Sequence, residues 1–192
     1  MRILIAGVSG AIGAALAEKL GALGQVAAEL AAIVPKAEGL DMIIYAAGML
    51  HGANMKPEKR LEDLQASSLA RAMAVNASGF GLLVQAISAK VGGIGDNRLG
   101  GWYAYRSSKA ALNMLVKTLS VELPRRMSPV TCIALHPGTT RSALSEPFSQ
   151  SLANLEVHDA DETAANLLAV IDQIDESANG SFLSWDGSTL PW

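Results

Sequence analysis

Cysteine is nearly absent from this sequence, which removes two common ways of stabilising a small protein. The 192 residues contain one cysteine, Cys132, so an internal disulfide is excluded. No group of cysteine and histidine residues has the spacing of metal ligands, and we expect no bound metal. Cys132 lies in an apolar run, which favours an inert core thiol over a reactive one.

Charge of one sign and long apolar runs are also lacking. Fifteen Lys and Arg residues accompany eighteen Asp and Glu residues, the net charge is −3, and no basic cluster is present. This balance argues against nucleic acid and a membrane surface as partners. No apolar run approaches the ~18 residues that cross a membrane, and glycines interrupt the apolar start of the chain. We therefore expect a cytoplasmic protein that binds a small molecule.

Apolar residues are plentiful, and they occur in strand-like and helix-like segments that alternate along the chain. They make up half of the sequence, whereas residues 92–101 contain five glycines and are expected to form a loop. We predict strands at 2–6, 41–48, 130–135 and 181–184, and helices at 11–23, 26–34, 61 to roughly 88, 103–123 and 161–174. The alternation predicts one α/β domain over residues 1–192, with a doubly wound, mostly parallel sheet covered by helices on both faces.

A glycine-rich turn lies between the first predicted strand and the first predicted helix. Glycines permit a tight turn and close helix–strand packing, and the N–H groups at the helix start can bind a pyrophosphate. The residues predicted to bind a dinucleotide are Gly7, Ser9, Gly10, Ala11, Ile12 and Gly13. A structural turn that binds nothing is the alternative. The acidic or basic residue that usually separates NAD from NADP at the end of the next strand is missing, so the sequence leaves both open.

Tyr105 and Lys109 are four residues apart in the best predicted helix, so they share one face. A phenol with an ordinary pKa near ~10 is a poor base at neutral pH. A lysine cation nearby favours the phenolate, and we expect it to lower the pKa of Tyr105. Such a phenol can exchange the hydroxyl proton of a substrate while a dinucleotide exchanges hydride at carbon. The spacing therefore predicts an acid–base pair.

Taken together, these segments resemble the short-chain dehydrogenase/reductase family, and most of all its sniffer-type carbonyl reductase and C-factor-like branch. The matching segments are spread over the whole chain in family order: residues 7–13, 46–48, 75–77, 95–105, 107–113, 135–139 and 185–192. The resemblance implies a Rossmann-like fold, an NAD or NADP cofactor, a carbonyl or alcohol substrate, and association into a homodimer or homotetramer.

The resemblance also implies a role for each matching position. Tyr105 would be the proton donor or acceptor, and Lys109 would lower its pKa and bind the nicotinamide ribose. Asn76 would hold a water in a proton relay behind Lys109, although it could instead break or cap its helix. Thr139 would hold the nicotinamide end, although it could be a plain turn residue. The remaining implied cofactor contacts are Ala47, Gly48, Pro137 and Gly138.

The sequence departs from the family at the serine that usually polarises the substrate carbonyl. Ser88 is the candidate, but the usual position counted back from Gly92 holds Ala89. Ser107 and Ser108 are less suitable because they lie on the helix of Tyr105. The turn at 46–48 also lacks the asparagines that are common in the family.

The chain is too short for the family arrangement near residues 25/26 and 85/86. A helix of 13 residues spans ~20 Å, whereas neighbouring Cα atoms are ~3.8 Å apart, so one peptide bond cannot return the chain to the other end of the sheet. Either segments are missing from this sequence at both points, or this is a deletion variant with a reorganised sheet.

Three functions fit the sequence, and the first is our prediction. It is an oxidoreductase that transfers hydride between NAD(P)(H) and a carbonyl or alcohol, with Tyr105 as general acid or base assisted by Lys109. The weak serine position and the short chain favour a non-catalytic dinucleotide-binding sensor or signalling protein of the same fold. The third is a structural α/β domain that binds no dinucleotide. The sequence does not identify the substrate.

Overall fold

The computed structural model describes residues 3–20, 42–52, 55–78, 86–87, 89–95, 97–126, 129–145 and 156–192. Its main strands are β1 (Ile3–Ala6), β2 (Met42–Tyr45), β3 (Ala86–Ile87), β4 (Ala134–His136) and β7 (Phe182–Ser184). They form a sheet in the order β1-β2-β3-β4-β7, and every neighbouring pair is parallel. Two short strands, β5 (Thr139–Thr140) and β6 (Val157–His158), pair parallel beside this sheet.

Helices cover both faces of the sheet, as the sequence predicts. The helices are α1 (Ala11–Lys19), α2 (Ala66–Met73), α3 (Tyr103–Glu122) and α4 (Ala160–Asp172). Successive strand residues point to opposite faces, so the core residues of the sheet belong to two clusters, one on each face. Ile44 and Leu135 pack with α1 and α4 on one face, while Tyr45, Ala134 and Phe182 pack with α3 on the other. The predicted mostly parallel α/β architecture is thereby confirmed.

The helix predicted from 61 to roughly 88 is wrong in part. The chain forms a 3-10 turn at Leu61–Asp63, then α2, then one π turn at Ala74–Ser78, and Ala86–Ile87 is the strand β3. A short apolar run has no periodicity that separates a buried strand from a helix. Pairing with β2 and β4 on either side makes this run a strand.

The strand predicted at 130–135 begins later than expected, at Ala134. Before that point the backbone bonds to the turn that precedes β7: Cys132 N donates to Asn179 Oδ1 (3.0 Å) and Cys132 O accepts from Gly180 N (2.8 Å). Cys132 is fully buried, and burial raises the pKa of its thiol to about 11. At neutral pH its thiolate is therefore scarce, as expected for a core cysteine.

Some sequence predictions fall outside the described residues. They are the helix at 26–34, both points where the chain is too short (25/26 and 85/86), and the candidate serine Ser88. Among the helices that are described, none is long and apolar enough to cross a membrane.

Candidate active site

The glycine turn packs its backbone against the loop that follows β2. Gly7 has φ +97°, and a Cβ added to it would lie 2.5 Å from the backbone nitrogen of Ala47. A Cβ on Gly13, inside α1, would lie 2.3 Å from the carbonyl oxygen of Gly7. Any side chain at either position would force the turn, α1 and β2 apart. The tight turn and the close helix–strand packing expected from the sequence therefore depend on Gly7 and Gly13.

The start of α1 suits an anionic ligand. Gly10 caps the helix without a side chain, and its own N–H donates to Gly7 O (3.0 Å). Ser9 and Gly10 are exposed, so the outer surface of the turn is accessible. The first N–H groups of a helix lack acceptors within it and carry its positive dipole end. Together with the tight turn that only glycine allows, these N–H groups fit the pyrophosphate of a dinucleotide. We call residues 7–13 the phosphate cradle.

The loop after β2 connects the glycine turn to the predicted acid–base pair. Ala47 contacts Gly7, and the next residue, Gly48, approaches the side chains of Lys109 and Asn76. A Cβ on Gly48 would lie 3.6 Å from Lys109 Nζ and 3.8 Å from Asn76 Oδ1. Gly48 itself is exposed. The glycine turn and Lys109 thus face the same loop, at the carboxyl ends of the parallel strands where ligands bind in such folds.

Tyr105 and Lys109 lie together on the buried face of α3. The exposed fraction is 8% for Tyr105 and 3% for Lys109. Lys109 Nζ lies 5.9 Å from the centroid of the Tyr105 ring, within reach of a cation–π contact. The i, i+4 spacing predicted this proximity.

The expected direction of the pKa change at Tyr105 is wrong. Burial raises the pKa of Tyr105 to about 12, because a phenolate loses solvation in the protein interior. Burial also lowers the pKa of Lys109 to about 8, because the ammonium loses solvation too. Desolvation therefore outweighs the attraction between the two charged forms. Near neutral pH the pair is a neutral phenol beside an ammonium that is easily deprotonated.

We predict that Lys109→Met stabilises the fold at pH 7. The pKa of Lys109 in the folded protein, about 8, lies below the ordinary lysine value of 10.5, so keeping Lys109 charged costs about 3 kcal/mol of folding free energy. Between about pH 8 and 10.5 the unfolded chain binds more protons than the folded protein, so wild-type stability rises with pH. Urea unfolding at pH 7 and pH 10 should show the advantage of the variant shrinking with pH. Lys117→Met, which changes an exposed lysine of the same helix, should show no such pH-dependent gain.

Asn76 forms hydrogen bonds that connect the loop after β2 to α3. It is fully buried in the π turn, where its Nδ2 donates to Met49 O (2.8 Å) and Ser108 Oγ (2.9 Å), and its Oδ1 accepts from Met49 N (2.7 Å). Ser108 Oγ in turn donates to Tyr105 O (2.8 Å). Tyr45 Oη donates to Val75 O and ties the same π turn to β2. Both side-chain N–H groups of Asn76 are thus engaged in holding Met49 and α3 together.

We predict that Asn76→Ala lowers the free energy of unfolding by about 3 kcal/mol. The change leaves the N–H and C=O of Met49 without their partner, and each buried polar group without a hydrogen bond costs about 1–3 kcal/mol. Chemical denaturation measures the loss. Asn113→Ala alters another buried asparagine, on α3, and gives the comparison for the loss of a buried amide that does not bind Met49. A variant as stable as the wild type would contradict this structural role and leave only the water relay.

The loop after β4 carries the other predicted cofactor residues. Gly138 has φ +76°, and a Cβ there would lie 2.8 Å from Trp185 Cδ1 and 3.1 Å from His158 Cδ2. Thr139 follows as the first residue of β5 and is half-buried. Pro137, Gly138 and Thr139 therefore leave the carboxyl end of β4, on the same edge of the sheet as Gly7 and Gly48.

Sequence reasoning missed two residues near the Tyr105–Lys109 pair: Gly92, which contacts Lys109 from outside α3, and Arg106, which lies on α3 itself. A Cβ on Gly92 would lie 2.8 Å from the carbonyl carbon of Lys109, so only glycine lets the 3-10 turn Lys90–Gly92 pack against that residue. The Arg106 side chain donates to the backbone of the loop before α3. The five glycines at 92–101 were the available signal for the first, and nothing local indicated the second.

Comparison with known proteins identifies relatives of this chain in one enzyme family. A model of the short chain dehydrogenase family matches residues 22–153. The C-signal protein of Myxococcus xanthus is 34% identical over 106 residues, which are 55% of this chain and 58% of that protein. The 1-hydroxy-2-glutathionyl-2-methyl-3-butene dehydrogenase of Rhodococcus sp. is 33% identical over 112 residues, which are 58% of this chain and 47% of that protein. The chain spans about half the length of these curated relatives.

Solved structures share the fold at low sequence identity. The carbonyl reductase Sniffer of D. melanogaster superposes with a TM-score of 0.79 at 22% identity, covering 100% of this chain and 99% of that one. An NADPH-bound carbonyl reductase from chicken fatty liver gives a TM-score of 0.76 at 22% identity, covering 100% of this chain and 98% of that one. These likenesses establish a common Rossmann-like α/β fold. Since the family model matches more than half of the sequence, the chain belongs to the short chain dehydrogenase family.

Proposed function

We propose that this chain is an NAD(P)-dependent oxidoreductase that interconverts a carbonyl and an alcohol. One observation carries the proposal: the glycine turn contacts Ala47 while the adjoining Gly48 lies beside Lys109 Nζ, so the phosphate cradle and the buried Tyr105–Lys109 pair meet at one loop. A dinucleotide whose pyrophosphate binds at the glycine turn would extend its nicotinamide end toward Tyr105 and Lys109. Hydride donor, carbonyl and phenol can then be aligned in one site.

The binding roles follow the edge of the sheet. The glycine turn binds the pyrophosphate through the start of α1, Gly48 leaves room beside Lys109, and Thr139 with Pro137 and Gly138 holds the nicotinamide end. When bound, the dinucleotide supplies or accepts hydride at the substrate carbon. The chicken carbonyl reductase was solved with NADPH, which makes NADPH the first dinucleotide to test.

At neutral pH the pair is in the protonation state that carbonyl reduction requires. With a pKa of about 12, Tyr105 is a neutral phenol that can donate its proton to the carbonyl oxygen as the carbon gains hydride. The Lys109 cation stabilises the phenolate that this transfer leaves behind, a charge that exists only after the proton has moved. Ser88 is our proposal for the residue that polarises the carbonyl before transfer.

A spectrophotometric assay tests the proposal. Oxidation of NADPH and NADH is followed against a panel of aldehydes, ketones and quinones, and dinucleotide binding is measured separately by titration. Turnover of any member supports the enzyme. Saturable dinucleotide binding without turnover overturns it in favour of the non-catalytic sensor. If neither dinucleotide binds at millimolar concentration, the chain is a structural domain.

A further inference from the structure

Arg106 follows Tyr105 in α3 and contacts a loop outside that helix. Its Nε donates to Gly100 O (3.2 Å) and Gly101 O (3.1 Å), and its Nη1 donates to Val91 O (3.2 Å). These three oxygens belong to the two ends of the segment 91–101. One guanidinium therefore joins the beginning of this loop to its end.

The first end of the loop packs against Lys109. Val91 lies in the 3-10 turn Lys90–Gly92, and Gly92 contacts the backbone of Lys109 so closely that a Cβ would lie 2.8 Å from Lys109 Cβ. Arg106 and Lys109 are three residues apart and so share a face of α3. The bond from Arg106 to Val91 O holds this turn on the face that carries Lys109.

The other end of the loop packs against Tyr105. Gly100, Gly101 and Trp102 have φ of 64°, 64° and 51°, three consecutive left-handed residues of which the last is a tryptophan. Surroundings must impose this conformation on a residue with a Cβ. Trp102 N donates to Glu58 O (2.7 Å), and Arg106 binds the two carbonyls that come before it. The Trp102 ring meets the Tyr105 ring edge to face, with centroids 6.5 Å apart.

We propose that Arg106 is a positioning residue that closes the loop 91–101 and so holds Trp102 against Tyr105 and the turn Lys90–Gly92 against Lys109. This rests on the proposed function, because the loop then fixes where a carbonyl meets the phenol. The planar guanidinium of arginine can donate hydrogen bonds to three carbonyls in fixed directions, whereas the ammonium of a lysine acts as a compact point charge. Arg106→Lys is thus a conservative change in charge and a severe one in geometry.

The experiment compares Arg106→Ala and Arg106→Lys with Lys117→Met. Lys117 is the matched control, because it lies on the same helix and its Nζ also donates to a backbone carbonyl, Gly180 O (3.1 Å), about 16 Å of helix away from Arg106. Each protein is assayed for kcat, KM and NADPH affinity with the best carbonyl substrate of the panel. Trp102 emission is obtained as the difference between each protein and its Trp102→Phe counterpart.

Arg106→Ala is expected to lower kcat about 10- to 100-fold while NADPH affinity stays within about twofold, because the reacting groups are displaced and the phosphate cradle is untouched. Trp102 emission should shift to the red and lose anisotropy. Arg106→Lys should restore little of the lost kcat or of the wild-type Trp102 emission, and Lys117→Met should leave both unchanged. Wild-type kcat, or unaltered Trp102 emission, in both Arg106 variants would overturn the proposal. If the wild type shows no turnover, the proposed function fails, and Trp102 emission still decides whether Arg106 holds the loop.

Discussion

Tyr105→Phe is expected to lower kcat for carbonyl reduction about 10³-fold while leaving the fold and dinucleotide affinity intact. Phenylalanine keeps the buried ring that packs against Trp102 and beneath Lys109, and removes only the hydroxyl. General acid catalysis by a positioned side chain contributes about 10²–10⁴-fold. Steady-state kinetics with NADPH and the best carbonyl of the panel gives the ratio.

The control for this variant is Tyr103→Phe. Tyr103 lies two residues earlier on α3 and therefore on another face of the helix. Its kcat should stay within about twofold of the wild type. Residual activity of Tyr105→Phe within tenfold of the wild type would show that another group donates the proton, and the proposed mechanism would fall. Equal loss in both variants would point to the helix rather than to the phenol.

Gly13→Ala is expected to destabilise the fold by up to about 2 kcal/mol and to weaken NADPH binding at least a hundredfold. In an ordinary helix, alanine is better than glycine by about 1 kcal/mol. Here the added Cβ would lie 2.3 Å from Gly7 O and 2.8 Å from Gly7 C, contacts that require movement of the backbone. Overpacking of this kind costs about 1–3 kcal/mol. The turn must open, and the Gly10 N–H bond to Gly7 O lengthens with it.

Gly52→Ala is the matched control for this prediction. Gly52 lies in the loop after β2, and a Cβ there would have no atom within 4 Å. Its stability in urea should match the wild type within about 0.5 kcal/mol, with unchanged NADPH affinity. If Gly13→Ala instead gains stability, as helix propensity alone predicts, the close approach of α1 to the glycine turn is not real. The cradle proposed for the pyrophosphate would then lack its basis.

Residue spacing was enough to predict the parts of the site that lie close together in the chain. Tyr105 and Lys109 are brought together by one turn of α3, and the glycine turn is set by its own three glycines. The helix predicted at 103–123 corresponds to Tyr103–Glu122, because no glycine or proline interrupts the segment before the proline at 124. These features depend on local geometry, which the sequence carries directly.

Contacts between distant segments could not be predicted in the same way. The strand Ala86–Ile87 exists because β2 and β4 lie on either side of it. Asn76 was expected to act behind Lys109, but its bonds to Met49 and Ser108 depend on segments about 30 residues away. The change in the pKa of Tyr105 was predicted in the wrong direction. The sequence shows the neighbouring Lys109, which would lower this pKa, but it does not show how deeply the phenol is buried, which raises it.

The sequence by itself therefore determined the family, the alternation of strands and helices, and the proximity of Tyr105 and Lys109 on one helix face, all of which follow from residue types at short spacing. Only the tertiary structure decided that the pair is desolvated, that Gly48 places the cradle beside Lys109, and that Arg106 joins the two ends of the loop before α3. Desolvation and close packing arise from atoms that are far apart in the chain. They appear only when the folded backbone brings those atoms together.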